Sequence, residues 1–280
     1  TAIQSVPFVG EHAKELYVFQ RTPSSVDLRG NSPTDPEWAE TLKPGWQRER
    51  RENFNDILLG VPVEEDLVND GWTEIFRDLM SVVPANKEKD PEITPEEAAE
   101  MAEIADFKKM NGIRQRVDDT VKNGEVADLL KPWYRQFCKR PTFNDEFLPT
   151  FNRENVTLVD TSINKGIDRI TEKGIVANGV EYELDCIIFA TGFEVGTVYT
   201  RRAGFEVTGQ DGKTLSEHFA GGLKTFHGFS SHGFPNCFQM GGISQTGASV
   251  NLTSVLDDHA QHIGYIIKEV LDRGVNYVQP

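Results

Sequence analysis

The sequence predicts an α/β fold with an all-helical insertion, and three observations support that fold class. Residues 1–13 carry apolar side chains at helical spacing, and Leu16–Gln20 follows as a short run of strand-forming residues. Cys186–Ala190 is a short continuous apolar run, which is the pattern of a strand buried on both faces. Residues 47–131 have helical character instead. A helix followed by a strand is the second half of a βαβ unit, so we expect the α/β part to be Rossmann-like.

The helical insertion is predicted from capping residues and periodicity. Thr94-Pro95-Glu96-Glu97 is a helix start, because Thr is a good N-cap, Pro suits the first helical position and Glu at the third completes a capping box. Trp72, Phe76 and Leu79 fall on one helix face. Pro132 ends the insertion, whose charged face is expected to act in solubility alone.

The remainder of the chain is predicted to contain short strands and one long helix. Val156–Asp160 is a strand, and a meander of three short strands follows it at residues 167–170, 174–177 and 182–184. Asn178-Gly179 within this meander is a strong hairpin signal. The meander leads into the apolar run, and a helix from Asn251 to Leu271 closes the chain. The expected segments are 1–46, 47–131, 132–184 and 185–280.

Composition excludes several classes of partner and site. The net charge of −15 over 280 residues disfavours nucleic acid and anionic membranes as partners, and no apolar run is long enough to span a membrane. The 3 cysteines include no CxxC pair, which favours a reducing, cytoplasmic compartment and argues against a zinc site. No metal-binding motif is present, so we expect no metal. The first residues lack both a signal peptide and an initiator Met, so we expect a piece of a longer protein.

Arg21-Thr22 is the first candidate binding pair. It follows the strand at which a dinucleotide-binding βαβ unit grips the adenosine ribose. An acidic residue there binds the 2′-hydroxyl of NAD, whereas an Arg suits the 2′-phosphate of NADP, because its planar fork of donors matches phosphate. The pair therefore indicates NADP, although an exposed Arg at a strand end is also common without any ligand.

Lys139-Arg140 is the second candidate. These adjacent cations lie between Cys138 and Pro141, at a junction between segments. In a chain of net charge −15, bound anions have to be held by local cations. The pair is therefore a candidate for binding a phosphate or an anionic intermediate, and a solvated surface pair is the alternative.

Two stretches with glycine are further candidates. Ala190-Thr191-Gly192 ends the apolar run, where Gly allows the backbone to approach a cofactor closely. Gly242 precedes the last helix and Asn251 lies at its start, and helix N-termini attract anions and electron-rich groups. An ordinary buried strand and an ordinary Gly-rich turn would show the same residues.

Five segments, taken in order, resemble the flavin-dependent Baeyer–Villiger monooxygenases. They are Leu16-Tyr-Val-Phe-Gln-Arg-Thr-Pro23, Cys138-Lys-Arg-Pro141, Thr150-Phe-Asn-Arg-Glu-Asn-Val156, Phe189-Ala-Thr-Gly-Phe193 and Gly233-Phe-Pro-Asn236. The resemblance implies an NADP-binding domain (1–46 and 132–184), a helical insertion (47–131) and the C-terminal part of an FAD-binding domain (185–280). It implies NADPH and FAD as cofactors, with a small-molecule ketone and O2 as substrates. The family's FAD motif would lie before Thr1, so the resemblance also implies a missing N-terminal FAD domain.

The resemblance also implies roles for individual residues. Arg21, Thr22 and Lys139 resemble the ligands of the NADP 2′-phosphate. Arg140 resembles the active-site Arg that stabilises the anionic oxygenated flavin and keeps the nicotinamide in place. By the same resemblance, the cofactor-binding residues near the domain crossing and the flavin would be Ala190, Thr191, Gly192, Gly242 and Asn251. Gly242 is followed by Ile243 where the family has Pro.

Two other functions stay open from the sequence. A flavin monooxygenase that oxidises nitrogen or sulfur atoms would share much of the pattern, although the insertion and the Cys138-Lys-Arg-Pro141 segment favour the Baeyer–Villiger class. A non-catalytic NADP-binding module would also fit a chain that has no FAD motif.

Overall fold

The computed structural model describes residues 1–80, 92–193, 197–240 and 251–280. The chain divides into two compact units, Thr1–Thr191 and Gly192–Pro280. The predicted boundary after residue 184 lies seven residues before this division, and the predicted domain limits themselves remain a prediction.

The first unit contains both helices and strands, with a run of consecutive helices between its second and third strands. In chain order they are α1 (Ala2–His12), β1 (Leu16–Gln20), β2 (Val26–Asp27), α2 (Pro36–Thr41), α3 (Trp46–Leu59), α4 (Gly71–Met80), α5 (Pro95–Thr120), α6 (Gly124–Leu130), a 3₁₀ turn (Gln136–Cys138), β3 (Thr142–Phe143), α7 (Phe147–Thr150), β4 (Val156–Asp160), β5 (Arg169–Ile170), β6 (Gly174–Ala177) and β7 (Val180–Glu183). The described part of the second unit contains α8 (Tyr199–Ala203), a 3₁₀ turn (Gln210–Gly212), α9 (Leu215–Phe219) and α10 (Leu252–Asp272).

Parallel strand pairing defines the edge at which the candidate residues lie. β1 pairs with β4 in parallel, from Leu16 opposite Val156 to Gln20 opposite Asp160. β2 and β3 form a second, shorter parallel pair. Parallel strands end at the same edge of a sheet, and the N–H of Thr161 donates to the carbonyl of Gln20 at 2.8 Å. The residue that follows β1, Arg21, therefore emerges beside the end of β4.

One hydrophobic core joins the strands to the helices of the predicted insertion. Its buried members come from α1, β2, β4, the α6 helix, and the α5 and α7 helices with the residues that follow them: Val6, Val26, Val117, Val121, Ala127, Leu130, Phe147, Leu148, Phe151 and Val156. Each large apolar side chain fully buried here contributes about 1.5–3 kcal/mol of transfer free energy. The insertion is therefore packed into the same core as β1 and β4 instead of forming a separate globule.

The predicted insertion is helical over its described residues, and its capping is confirmed. The Thr94 hydroxyl accepts from the N–H of Glu97, and the Glu97 carboxylate accepts from the N–H of Thr94, which is a full capping box. On α4, Ile75 is completely buried, whereas the predicted face residues Trp72, Phe76 and Leu79 are half-buried. The apolar stripe of a core-facing helix is wider than one row of residues. The prediction therefore identified the buried face of α4 but did not include Ile75, which lies at the centre of that face.

The strand meander forms with the predicted turn. β5, β6 and β7 pair antiparallel, and Asn178 and Gly179 connect the last two strands with φ values of 51° and 76°. Two positive φ angles are the signature of the type I′ hairpin turn that Asn-Gly favours. Gly174 is required at the start of β6, because a Cβ there would lie 2.0 Å from the carbonyl oxygen of Tyr182.

The predicted buried strand at Cys186–Ala190 is wrong for this structure. The segment has no strand assignment, and the side chains of Ile188 and Phe189 are 59% and 67% exposed. A strand needs a neighbouring strand that pairs with its N–H and C=O groups. Among the described residues, the last strand of the meander ends at Glu183, and no strand pairs with the segment that follows it. The break after the run is present, because Gly192 has a φ of 102°, a value that favours Gly.

The second unit is organised around Phe229, which is 1% exposed. Its ring packs against His259 and His262 of α10, at centroid distances of 5.4 Å and 5.0 Å. The α10 helix begins one residue after the predicted start, since Asn251 is its N-cap and accepts from the N–H of Ser254. The prediction of a helix over residues 251–271 is thus confirmed.

Candidate cofactor site

The candidate site begins where β1 ends. Parallel pairing with β4 fixes the direction of β1, and the chain leaves the sheet edge at Arg21 and Thr22, both of which are exposed. Pro23 follows, which has no N–H to extend the ladder. The end of the strand therefore presents a guanidinium and a hydroxyl to solvent, as the sequence predicted.

Lys139 reaches the same place from a distant part of the chain. It follows the 3₁₀ turn at Gln136–Cys138, and its Nζ donates to the carbonyl of Thr22 at 3.4 Å. The ammonium group also lies 5.4 Å from the centre of the Tyr134 ring. The structure thus brings Lys139 close to Arg21 and Thr22. Thr22 and Lys139 are 117 residues apart in the sequence.

The electrostatics of this cluster favour an anion. Burial lowers the pKa of Lys139, and the positive charge of Arg21 lowers it further. Over the described ranges, neither Arg21 nor Lys139 forms an ion pair with a carboxylate. Arg21 and Lys139 repel one another, although the chain as a whole has a net charge of −15. A bound phosphate would compensate the positive charge of this pair.

Arg140 lies next to this cluster in sequence but is supported by the insertion. Its guanidinium carbon is 5.3 Å from the centre of the Trp72 ring on α4, a cation–π contact. The Trp72 ring in turn packs against Phe143 of β3, with ring centroids 5.1 Å apart. The exposed Arg140 side chain has no carboxylate partner among the described residues, so its charge is available to another anion.

Sequence reasoning missed the residues that hold this cluster in place. The Tyr134 hydroxyl donates to the carbonyl of Pro23 at 3.0 Å and accepts from the N–H of Ser25 at 2.8 Å. The buried Asp106 of α5 accepts from the N–H of Gln136 at 2.8 Å. These contacts span 30 to 111 sequence positions, and no local pattern signals them.

The other candidates are not joined to this cluster by the described contacts. Ala190 and Thr191 lie in the exposed run at the end of the first unit, and Gly192 begins the second. The Asn251 side chain caps α10. Gly242 lies outside the described residues. Their cofactor-binding roles remain predictions.

Two structural searches bear on other classes of protein. Over the described ranges, no helix is long and apolar enough to cross a membrane. The same residues contain no group of three His, Cys, Asp or Glu side chains placed to hold a metal ion.

Comparison with curated proteins shows similarity along the whole chain. Baeyer-Villiger monooxygenase ATR8 of Stachybotrys chlorohalonatus is 50% identical over 280 residues, which are 100% of this chain and 44% of that protein. Neopentalenolactone D synthase of Streptomyces avermitilis is 48% identical over 281 residues, which are 100% of this chain and 46% of that protein. The chain therefore spans about half the length of the curated relatives it matches. No family model matches the sequence.

Solved structures give the same result. The polycyclic ketone monooxygenase of Thermothelomyces thermophila superposes with a TM-score of 0.81 at 40% identity, over 97% of this chain and 44% of that one. A structure of cyclohexanone monooxygenase gives a TM-score of 0.75 at 26% identity, over 100% of this chain and 54% of that one. The α/β architecture is thus that of flavin monooxygenases of this kind, and the chain is similar along its whole length to part of the Baeyer–Villiger monooxygenases.

Proposed function

We propose that the protein containing this chain is an NADPH- and FAD-dependent monooxygenase. It inserts one oxygen atom of O2 next to the carbonyl of a small-molecule ketone and forms an ester or a lactone. The observation that carries this proposal is the meeting of Arg21 and Lys139 at the end of β1, with Arg140 next in the sequence, in a chain similar to Baeyer–Villiger monooxygenases.

The residues at the end of β1 fit the 2′-phosphate of NADP. Arg21 supplies a planar fork of donors and Thr22 a hydroxyl, while Lys139 supplies a point charge. A phosphate between the two cations would offset their repulsion, which now lowers the pKa of Lys139. We propose that this site lies in a Rossmann-like domain formed by residues 1–46 and 132–184, with residues 47–131 as its helical insertion.

Arg140 is the residue that we propose acts on the reacting groups. Its guanidinium carbon lies 5.3 Å from the centre of the Trp72 ring. A fixed cation lowers the pKa of an acid bound beside it and thereby holds that acid in its anionic form. Arg140 would in this way keep an oxygen-transferring group deprotonated and hold the nicotinamide of NADP in place.

FAD enters the proposal through the family. When bound, it supplies the oxygen-activating chemistry, which no side chain can supply alone. Ala190, Thr191, Gly192, Gly242 and Asn251 are the residues of this chain proposed to contact it. The described contacts do not join these residues into one binding site. A solved structure of OTEMO, which is 25% identical to this chain with a TM-score of 0.71, is a complex with FAD and NADP.

The cytoplasmic location of the protein also remains a prediction.

Product analysis of the complete protein tests this function. With NADPH, O2 and a cyclic ketone, we expect a lactone, detected by mass spectrometry. Arg140→Ala should lose at least about 100-fold of lactone formation, the loss typical for removal of one charge-stabilising group. NADPH oxidation should remain measurable in this variant.

A matched control separates this role from a general effect of charge. Arg135 lies five positions before Arg140 and forms an exposed ion pair with Glu103. Arg135→Ala should therefore form lactone at the wild-type rate. In parallel assays with a sulfide and with an amine, formation of the sulfoxide or the N-oxide, without any lactone from the ketone, would favour the nitrogen- or sulfur-oxidising class. Binding of NADPH without any oxygen consumption would favour the non-catalytic module.

A further inference from the structure

Tyr134 connects the two chain segments that carry the cation cluster. Its hydroxyl donates to the carbonyl of Pro23, one residue after Thr22, and accepts from the N–H of Ser25. Its ring lies under the ammonium group of Lys139 at 5.4 Å. One half-buried side chain thus touches both the loop that follows β1 and the segment that ends at Lys139.

The hydroxyl is bound on both sides and cannot be replaced by water without rearrangement. Ser25 is 1% exposed, so its N–H would lose its partner in a buried position if the hydroxyl were removed. Burial raises the pKa of Tyr134, although the bonds to Ser25 lower it in part. The hydroxyl therefore stays protonated at neutral pH and keeps its donor role toward Pro23.

These contacts help to set the spacing of the two cations. Burial and then the charge of Arg21 lower the pKa of Lys139, and the loop from Thr22 to Ser25 has no strand pairing before β2 begins at Val26. The bond from Lys139 to the carbonyl of Thr22 is long, at 3.4 Å. The shorter bonds of Tyr134, together with the bond from the N–H of Thr142 to the carbonyl of Ser25 at 3.2 Å, hold the loop against the segment.

We propose that Tyr134 is a positioning residue for the 2′-phosphate of NADP, and that it determines the preference for NADPH over NADH. It acts through Arg21, Thr22 and Lys139, whose spacing it sets, and does not itself touch the ligand. The inference rests on the proposed NADP site and adds the residue that preorganises it.

Substitution of Tyr134→Phe tests this role because it keeps the ring under Lys139 and removes only the hydroxyl. In the complete protein, isothermal calorimetry with adenosine 2′,5′-bisphosphate measures the 2′-phosphate site directly, and 5′-AMP measures the remainder of the adenosine site. We expect Tyr134→Phe to weaken the bisphosphate about tenfold, the size of one lost hydrogen bond with an unpaired buried partner. Binding of 5′-AMP should change less than about twofold, since it has no 2′-phosphate.

The same preference should appear in the kinetics. The KM for NADPH should rise about tenfold in Tyr134→Phe while the KM for NADH and the kcat stay near their wild-type values. In the double variant with Arg21→Ala, the effect of Tyr134→Phe should largely disappear, because residues that act through one another are not additive.

Tyr17→Phe is the matched control. It removes a hydroxyl from the same unit, one that donates to Glu15 at 2.8 Å at the beginning of β1, and it should leave both affinities unchanged. Equal weakening of both ligands by Tyr134→Phe, or loss of cooperative unfolding, would show that Tyr134 only supports the fold and would overturn the inference. No change in either affinity would overturn it as well. Failure of the proposed NADP site is distinguishable, because Arg21→Ala alone would then leave the bisphosphate affinity unchanged.

Discussion

At the scale of single residues, the candidate site is a pair of cations without a partner of opposite charge. Lys139 is partly buried beside Arg21, and no carboxylate of the described chain compensates either cation. Lys131, by contrast, is also partly buried and binds both Asp118 and Asp128. A bound anion would supply the counter-charge that Arg21 and Lys139 lack.

The lowered pKa of Lys139 leads to a pH-dependent affinity. Burial and then the charge of Arg21 lower this pKa, and loss of the Lys139 proton would remove one of the two charges proposed to attract a phosphate dianion. Above pH 7.5 the phosphate itself no longer titrates, since its second pKa is about 6. The affinity for adenosine 2′,5′-bisphosphate should therefore fall as the pH rises through the pKa of Lys139, below the ordinary value for lysine.

Two variants check the sign of this dependence by calorimetry between pH 7.5 and 10.5. Arg21→Ala removes the like charge, so the pKa of Lys139 rises and the loss of the remaining affinity should move to higher pH. Lys139→Arg carries a guanidinium that stays protonated, so its affinity should be nearly constant over this range. A wild-type affinity that did not fall with pH would contradict the placement of Lys139 at the phosphate.

The sequence named the three candidate cations but not the residues that contact them in the fold. Arg21 was found because it ends a strand in a βαβ pattern, and Lys139 and Arg140 because adjacent cations stand out at a junction. Tyr134 and Trp72 were not found, since their roles depend on contacts with Pro23 and Arg140 that only the folded chain creates.

At the scale of elements, a triad of three charged side chains connects two helices of the predicted insertion to the short strand β2. Lys109 of α5 places its Nζ 2.8 Å from Asp27 of β2 and 2.7 Å from Glu74 of α4. Burial lowers the pKa of Lys109, but the bonds to Asp27 and Glu74 outweigh burial and raise it. Because β2 pairs with β3 directly after Arg140 and Pro141, the triad also supports the segment that carries the site.

Substitution of Lys109→Met should therefore destabilise the first unit. The Lys109 side chain is 13% exposed and Asp27 is 17% exposed, so the variant leaves a largely buried carboxylate without its cation. We expect a loss of about 2–4 kcal/mol in the free energy of unfolding, measured by urea denaturation.

The neighbouring residue offers a control on the same helix. Lys108 is exposed, and Lys108→Met should change the free energy of unfolding by less than about 0.5 kcal/mol. Asp27→Asn combined with Lys109→Met should recover part of the loss, because the uncompensated charge is then removed. Equal effects of the two Lys variants would contradict a structural role for the triad.

The strand predicted at Cys186–Ala190 is absent from the structure, which shows that a local pattern does not determine whether a segment is paired and buried. Capping residues act within one helix turn, and the Asn178-Gly179 turn acts within one hairpin, so both were predicted correctly. Burial of Cys186–Ala190 depends on partners far away in the chain, and the apolar run carries no information about whether they are present. The two apolar residues at its centre are accordingly exposed here.

At the scale of the whole molecule, the two units can be observed separately. All 4 tryptophans lie between Trp38 and Trp133, within the unit Thr1–Thr191. Intrinsic fluorescence therefore reports the unfolding of the unit that contains the cation cluster. This matters because a chain with two units need not unfold in one transition.

The acid stability of that unit depends in part on Asp145. Its carboxylate accepts from the N–H groups of Arg29 and Gly30 through one oxygen and of Asn31 through the other. Burial raises the pKa of Asp145, but these three bonds and the charge of Arg116 together outweigh burial and lower it. A carboxyl whose folded pKa is lowered contributes stability above its unfolded pKa of about 3.9, and that contribution is lost as the pH falls through the folded pKa.

Asp145→Asn should therefore destabilise the first unit at pH 7 and lose its effect in acid. Urea denaturation followed by tryptophan fluorescence should give a lower free energy of unfolding for the variant at neutral pH. The difference from wild type should shrink as the pH falls below about 4, because the wild-type carboxyl is then neutral as well. Asp119→Asn, which changes an exposed carboxylate on α5, is the control and should follow the wild-type curve. A difference between Asp145→Asn and wild type that stayed constant from pH 7 to pH 2 would show that the side chain acts by its shape and not by its charge.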